Sequence, residues 1–231
     1  MAVRGDAIGD MLVRTTNKPT NNSFTMMGWF IGFDFATTRG HLLTYEADAG
    51  APKRLRVETD SSLNMYGGAG SVGGSTLSTS VWFHATMTYN GTTALAYLNA
   101  VQDISIANGT APQGAIYVGN DDEIGDDQWL NGRWAAIKLW SAVLNAAEIA
   151  NEMRQYLPIR TANLNTFSPC LAASGAGIDY SGNGFNWSIG GTLTTEDGPP
   201  IPWSTNRVPH IYTPSAAAPS IRTLTLLGVG L

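Results

Sequence analysis

Charged side chains are scarce in this chain of 231 residues, of which only 13% are Asp, Glu, Lys or Arg. Globular proteins usually carry about 25%. The 13 basic residues are outnumbered by 18 acidic ones, and they form no basic stripe of the kind that follows nucleic-acid phosphates. The composition therefore argues against a nucleic-acid partner.

Cysteine is nearly absent, and long apolar runs are missing. Cys170 is the single cysteine, so the chain has no internal disulfide framework. No stretch approaches the ~20 apolar residues that a membrane span needs. The first residues lack the apolar core of a signal peptide. We therefore expect no membrane insertion, and synthesis and folding in a cytoplasm.

β-Strand patterns dominate what the sequence does contain. Residues 81–89 alternate large apolar side chains with small or polar ones, and Asn90-Gly91 follows as a strong hairpin signal. Residues 94–99 supply the return strand. The glycine-rich residues 67–74 predict a flexible loop, because glycine weakens a strand interior.

One short helix is predicted near residues 145–156. Asn145 can cap its N-terminus, Glu148 stands three residues later as in a capping box, and Pro158 ends the segment. A single helix among about ten or more short strands predicts an all-β fold, a two-sheet antiparallel jelly-roll β-sandwich.

The sandwich is predicted to span residues 1–213, with its core over residues 10–155 and further strands over residues 160–213 packing onto it. Residues 214–231 consist of a Pro/Ala/Ser linker and an apolar strand. This strand either docks on its own sandwich or adds to an edge of a neighbouring chain, which would make an oligomer. The side chains available for such an attachment are Ile221, Leu224, Leu226 and Leu227.

Three stretches carry motifs of one known superfamily. Ser-Phe-Thr leads into Gly-Trp over residues 23–29, and Trp-Phe-His leads through Tyr-Asn-Gly into Tyr-Leu-Asn over residues 82–99. Residues 119–149 contain Gly, Asn-Gly, Ile-Lys-Leu-Trp and a final Glu-Ile. Together they resemble the laminin G-like, concanavalin A-like jelly-roll superfamily, and residues 179–184 resemble the tail of its bacterial and phage-encoded members. The resemblance implies the fold, whereas the superfamily contains lectins, glycosidases, adhesion modules and virion parts.

Glucanases on this fold carry a Glu-x-Asp-x-x-Glu motif, because retaining hydrolysis needs two closely spaced carboxylates. Glu46-Ala47-Asp48 begins like that motif, but Ala51 stands where its second Glu belongs. We therefore expect the protein not to be an enzyme.

An acidic loop is the candidate metal site, since Ca²⁺ prefers six to eight oxygen ligands. Its candidate ligands are Asp121, Asp122, Glu123, Asp126, Asp127 and Gln128. The resemblance to pentraxins implies calcium here, and Gln128 precedes Gly132 by four residues as their loop glutamine does. Pentraxins add an Asp-Asn pair from a distant loop, whereas the corresponding residues here are Arg39-Gly40-His41. A calcium site and a merely solvated loop both stay open.

Tryptophans outside the strand patterns are the candidate sugar-stacking residues. Trp129 adjoins the acidic loop, and Trp187 and Trp203 lie in turn-rich sequence. These three rings are the candidates for exposure, and a structural role for each of them, the commoner case for a tryptophan, is the alternative.

Two functions fit these features. The first is a non-enzymatic structural or adhesion protein on a virion surface, a phage decoration or tail-associated component that contacts other virion proteins or itself. The low charge, the phage-like C-terminal motif and the apolar tail favour it. The second is a soluble lectin-like module that binds cell-surface glycans with loop calcium.

Overall fold

The protein is a β-sandwich in a computed structural model that describes residues 1–19, 22–37, 39–46, 52–67, 70–107, 111–121 and 128–202. Within these ranges the strands are β1 Ala2–Gly5, β2 Met11–Arg14, β3 Phe24–Gly32, β4 Gly40–Tyr45, β5 Lys53–Val57, β6 Ser62–Tyr66, β7 Ser71–Thr76, β8 Phe83–Tyr89, β9 Thr93–Leu98, β10 Val101–Ala107, β11 Ile116–Val118, β12 Gly132–Trp140, β13 Leu164–Ser168, β14 Ser188–Gly190 and β15 Thr194–Glu196. The helix α1 spans Ala146–Met153, and a 3-10 turn spans Ala173–Gly175.

Two antiparallel sheets pack face to face. The first has the order β10-β9-β8-β3-β12-β1-β15, with β13 also pairing with β12. The second has the order β14-β2-β11-β4-β5-β6-β7. The predicted all-β sandwich with one short α-helix is confirmed.

The predicted hairpin and helix both form. Strands β8 and β9 pair around Asn90-Gly91, where Gly91 has a φ of 97° that glycine adopts at little cost. The Asn145 side chain accepts from the backbone N–H of Glu148, whose carboxylate accepts from the N–H of Asn145. This capping box satisfies two backbone donors at the helix N-terminus. In the described ranges, no helix has the length and apolar character that crossing a membrane requires.

The glycine-rich segment differs from its prediction. Residues 71–76 form the strand β7 at an edge of the second sheet, paired with β6. Asp103, on the edge strand β10 of the first sheet, accepts hydrogen bonds from the backbone N–H and the hydroxyl of Ser75. Partners from two neighbouring strands thus offset the entropy that glycine loses in a strand.

The C-terminal strands complete both sheets. β13 and β15 join the first sheet, next to β12 and β1, and β14 joins the second sheet next to β2. The described residues after α1 therefore pack onto the sandwich. The boundary at residue 213 lies outside the described residues and stays a prediction.

Apolar side chains from both sheets fill the space between them, and α1 covers the outer face of the first sheet. Beneath α1, the Lys138 ammonium donates to a carboxylate oxygen of Glu152 at 2.8 Å and to the backbone carbonyls of Glu152 and Gln155. Lys138 and Glu152 are 1% and 2% exposed. The pair therefore fixes α1 by a buried ionic contact.

Candidate functional site

The acidic loop begins and ends beside one histidine. His41 lies on β4, with Nε2 at 3.1 Å from Gln128 Oε1 and Nδ1 at 3.4 Å from a carboxylate oxygen of Asp121. Asp121, Gln128 and His41 are all buried. The fold thus brings Asp121 and Gln128, the first and last residues of the predicted site, to the segment at residues 39–41. Asp122, Glu123, Asp126 and Asp127 lie outside the described residues.

Arginines on the neighbouring strand surround this contact. Arg54 on β5 lies 2.7 Å from Glu46 and 3.6 Å from Asp121. The pKa of His41 is lowered to about 3 by burial first, and then by the charges of Arg56 and Arg54. His41 is therefore neutral near pH 7, and the cation facing Asp121 is an arginine.

The two described candidate ligands thus contact protein groups. Gln128 presents its carbonyl oxygen to His41, and Asp121 lies between His41 and Arg54. Among the residues that the structure describes, no group of three His, Cys, Asp or Glu side chains could hold a metal ion. Asp121 and Gln128 alone do not make up a calcium site, and calcium binding by the whole loop stays a prediction.

The predicted stacking residues do not form one surface. Trp129 is half-buried. The expected exposure of Trp187 is wrong, because its side chain is 5% exposed and packs in the core, with the Arg14 guanidinium 5.8 Å from its ring centre. A ring buried in this way offers no face to a sugar. Trp203 lies outside the described residues, as do the attachment residues Ile221, Leu224, Leu226 and Leu227.

The glucanase-like motif begins with an acid in a structural ion pair. Glu46 follows β4, is 6% exposed and bonds to Arg54. The carboxylate of Glu46 thus takes part in a structural contact between β5 and the end of β4. Asp48 and Ala51 lie outside the described residues.

A crevice of about 490 Å³ opens at one end of the sandwich, within the usual size range of ligand sites. Its apolar floor comes from Phe24 and Tyr89 of the first sheet and Tyr45 of the second. The Phe24 ring centre lies 5.2 Å from that of Tyr45 and 5.9 Å from that of Tyr89. The rim is polar and includes Thr15, Thr16, Asn17, Lys18, Asn22 and Gln113.

The floor and the loops of this crevice are tied together by hydrogen bonds. Tyr45 donates its hydroxyl proton to the carbonyl of Pro19 at 2.7 Å, and Tyr89 donates to the carbonyl of Gly91 at 2.8 Å. Lys18 donates to the carbonyls of Gln113 and Gly114, at 2.6 and 2.5 Å. The loop after β2 and the loop before β11 therefore form one connected rim.

The crevice was not predicted from the sequence. The polar residues 15–17 and 22 resembled ordinary turns, and residues 111–113 are about ninety positions away from them. A local signal did exist in β5, where alternation of side chains places Lys53 on the same face as Leu55 and Val57. An inward-facing lysine is unusual enough to indicate a special site.

A family model for laminin G-like domains of the concanavalin A-like lectin/glucanase superfamily matches residues 9–150, well over half of the chain. The chain belongs to this superfamily. The matched residues include the sequence of the acidic loop and every residue that lines the crevice, whereas β13, β14 and β15 follow them. The resemblance found in the sequence motifs is thereby confirmed.

Solved structures share the concanavalin A-like fold at low identity. A Bacteroides ovatus protein, described provisionally as carbohydrate-binding, is 16% identical with a TM-score of 0.64, over 87% of this chain and 62% of that chain. Trypanosoma rangeli sialidase in complex with the inhibitor DANA is 15% identical with a TM-score of 0.57, over 66% of this chain and 27% of the sialidase. A comparison with curated protein sequences finds no match. Because this chain spans less than two thirds of either structure, these likenesses establish the fold alone.

Proposed function

We propose that the protein is a non-catalytic carbohydrate-binding module and that the crevice at the end of the sandwich holds the sugar. The observation that carries this proposal is the lining of the crevice, where a rim of hydroxyl and amide side chains surrounds an aromatic floor. The provisional description of the Bacteroides ovatus protein as carbohydrate-binding agrees with it.

Rim chemistry supports a sugar ligand. Hydroxyl and amide side chains both donate and accept hydrogen bonds, as sugar hydroxyls do. Thr15, Thr16, Asn17 and Gln113 are all exposed, so their side chains are accessible to a ligand. The floor rings are almost fully buried and supply a rigid apolar base rather than a broad stacking platform.

Binding without hydrolysis is supported by the same lining. Glycoside hydrolysis typically uses two carboxylates that flank the scissile bond. The described residues that line the crevice include neither Asp nor Glu, and Glu46, the first acid of the glucanase-like motif, bonds to Arg54.

Two other functions stay predictions. The first is display on a virion surface, with residues 214–231 attached to other virion proteins or to a second copy. The second is a soluble module that binds glycans with calcium in the acidic loop. Deletion of residues 215–231 tests the first one. Loss of particle incorporation with the fold retained is expected, and unchanged incorporation would contradict attachment by the tail.

A glycan array followed by calorimetric titration tests the proposed function. Thr16→Ala and Gln113→Ala should each weaken binding of the best glycan about three- to tenfold, since each removes a hydrogen bond of about 1 kcal/mol. Gln102→Ala is the matched control. Gln102 is exposed near the start of β10, and this end of the strand lies away from the crevice. A blank array, or equal losses in all three variants, would contradict the proposal.

A further inference from the structure

Three cationic side chains lie in or behind the wall of the crevice, although the chain as a whole has a net charge of −5. Lys18 belongs to the wall itself. Strand register places Arg14, Ile116, Tyr45 and Lys53 side by side on the inner face of β2, β11, β4 and β5. Tyr45 is part of the floor, so Arg14 and Lys53 lie one or two strands away from it, about 5–10 Å at the usual strand spacing.

Arg14 is a buried cation with an unused donor. It is 2% exposed, and its Nε donates to the carbonyl of Thr16 at 3.0 Å. One of its terminal nitrogens donates to the carbonyl of Asn17 and to Asn165 Oδ1. Among the described residues, its other terminal nitrogen, Nη1, meets no hydrogen-bond acceptor. Such a donor is costly to bury unless another group compensates for it.

The nearby acid does not neutralise Arg14 by direct contact. The Asp179 carboxylate accepts hydrogen bonds from the backbone N–H groups of Phe167, Ser181 and Phe185 and from the Ser181 hydroxyl. Its charge raises the pKa of Arg14, but burial lowers that pKa more, to about 10. The guanidinium therefore stays charged at neutral pH.

Lys18 and Lys53 add positive charge on the rim and behind the floor. Lys18 uses two of its three N–H donors on backbone carbonyls, which leaves one for a ligand. Lys53 is 0% exposed, with its Nζ 4.9 Å from the centre of the Tyr89 ring. Buried cations produce a strong local potential, because the protein interior screens charge poorly.

We infer that the crevice selects a saccharide that carries a carboxylate, such as a hexuronate, with Lys18 as its direct contact and with Arg14 and Lys53 supplying the attractive potential. This inference rests on the proposed function and deepens it. Arg14 also positions the site, since its donors hold the carbonyls of the two rim residues Thr16 and Asn17.

Calorimetric titration with a galacturonate oligosaccharide and with the same oligosaccharide after carboxyl reduction tests the inference. The acidic form should bind at least about tenfold more tightly, the usual effect of one charge-assisted hydrogen bond. Its advantage should shrink as NaCl is raised from about 0.01 M to about 0.15 M, because the screening length falls from about 30 Å to about 8 Å.

Variants of Lys18 test whether the preference for the acidic ligand arises in the crevice. Lys18→Gln should weaken binding of the acidic ligand about tenfold more than it weakens binding of the reduced ligand, whereas Lys18→Arg should keep the preference. Arg154→Gln removes the same charge from an exposed position after α1 and should change neither affinity. Thermal melting of each variant checks that the fold is intact.

The outcomes separate the two proposals. Equal affinity for the acidic and the reduced ligand, or equal effects of Lys18→Gln and Arg154→Gln, would overturn the carboxylate inference. Binding of neutral array glycans alone would overturn it too, while leaving the carbohydrate-binding function in place. No binding to any glycan would overturn both.

Discussion

Mild acid should destabilise this protein through two buried histidines. His84 on β8 is 2% exposed, and its ring centre lies 5.5 Å from that of Trp29 in a T-shaped contact. The positive charge of Lys138 also acts on the His84 ring. Burial first, and then the Lys138 cation, lower its pKa to about 3. His41 has a similarly low pKa, and its ring is fully buried. At about pH 5 both rings are neutral in the folded protein and become protonated when the chain unfolds.

The size of the effect follows from proton linkage. Each histidine has a pKa of about 6.5 in the unfolded chain, so between 6.5 and about 3 the unfolded state binds more protons and stability falls with falling pH. From about pH 7 to about pH 5, each group removes about 2 kcal/mol from the free energy of unfolding. Together they remove about 4 kcal/mol, a large part of the usual 5–15 kcal/mol.

Urea unfolding at the two pH values, followed by tryptophan fluorescence, measures this loss. We expect His84→Gln to lower stability at about pH 7 but to halve the loss on going to about pH 5, because glutamine does not titrate. His41→Gln is the matched second variant, and the double variant should show almost no loss. An unchanged pH dependence in His84→Gln would refute the assignment.

Three further predictions concern stability. Lys138→Met should lower the free energy of unfolding in urea by about 3–5 kcal/mol, because it leaves the Glu152 carboxylate buried without its cation. The double variant with Glu152→Met should lose less stability. An equal loss in the two variants would contradict an ionic role for the pair. Asn145→Ala should cost about 1 kcal/mol and lower the melting temperature by about 2–4 °C, whereas no change would show that the capping box contributes nothing. Calcium at about a hundred times its Kd should stabilise the protein by about 2.7 kcal/mol if the acidic loop binds it. A melting temperature equal in calcium and EDTA, or a shift that survives Asp122→Asn, would contradict that site.

Local sequence signals predicted the elements whose partners are near in the chain. The β8–β9 hairpin depends on side-chain alternation and on a turn that Gly91 can adopt, and α1 depends on the reciprocal bonds of Asn145 and Glu148. These interactions span a few residues, so the pattern contains all the necessary information. The number of short predicted strands indicated the sandwich, and the superfamily motifs agreed with it.

The predictions were wrong where contacts between residues far apart in the chain determine the structure. Trp187 lies in turn-rich sequence, yet the strand β14 that follows it pairs with β2 and places the ring beside Arg14 in the core. Residues 71–76 form a strand because β6 and Asp103 supply partners that no local pattern reveals.

The sequence by itself determined the class of fold, the hairpin, the helix and the scarcity of charge, because each of these follows from composition or from spacings of a few residues. Only the tertiary structure decided where the few charges lie. It brought His41 to both ends of the acidic loop, and it aligned Arg14 and Lys53 with Tyr45 behind the crevice. Sheet register fixes such neighbours, and register depends on how strands far apart in the chain pair and pack.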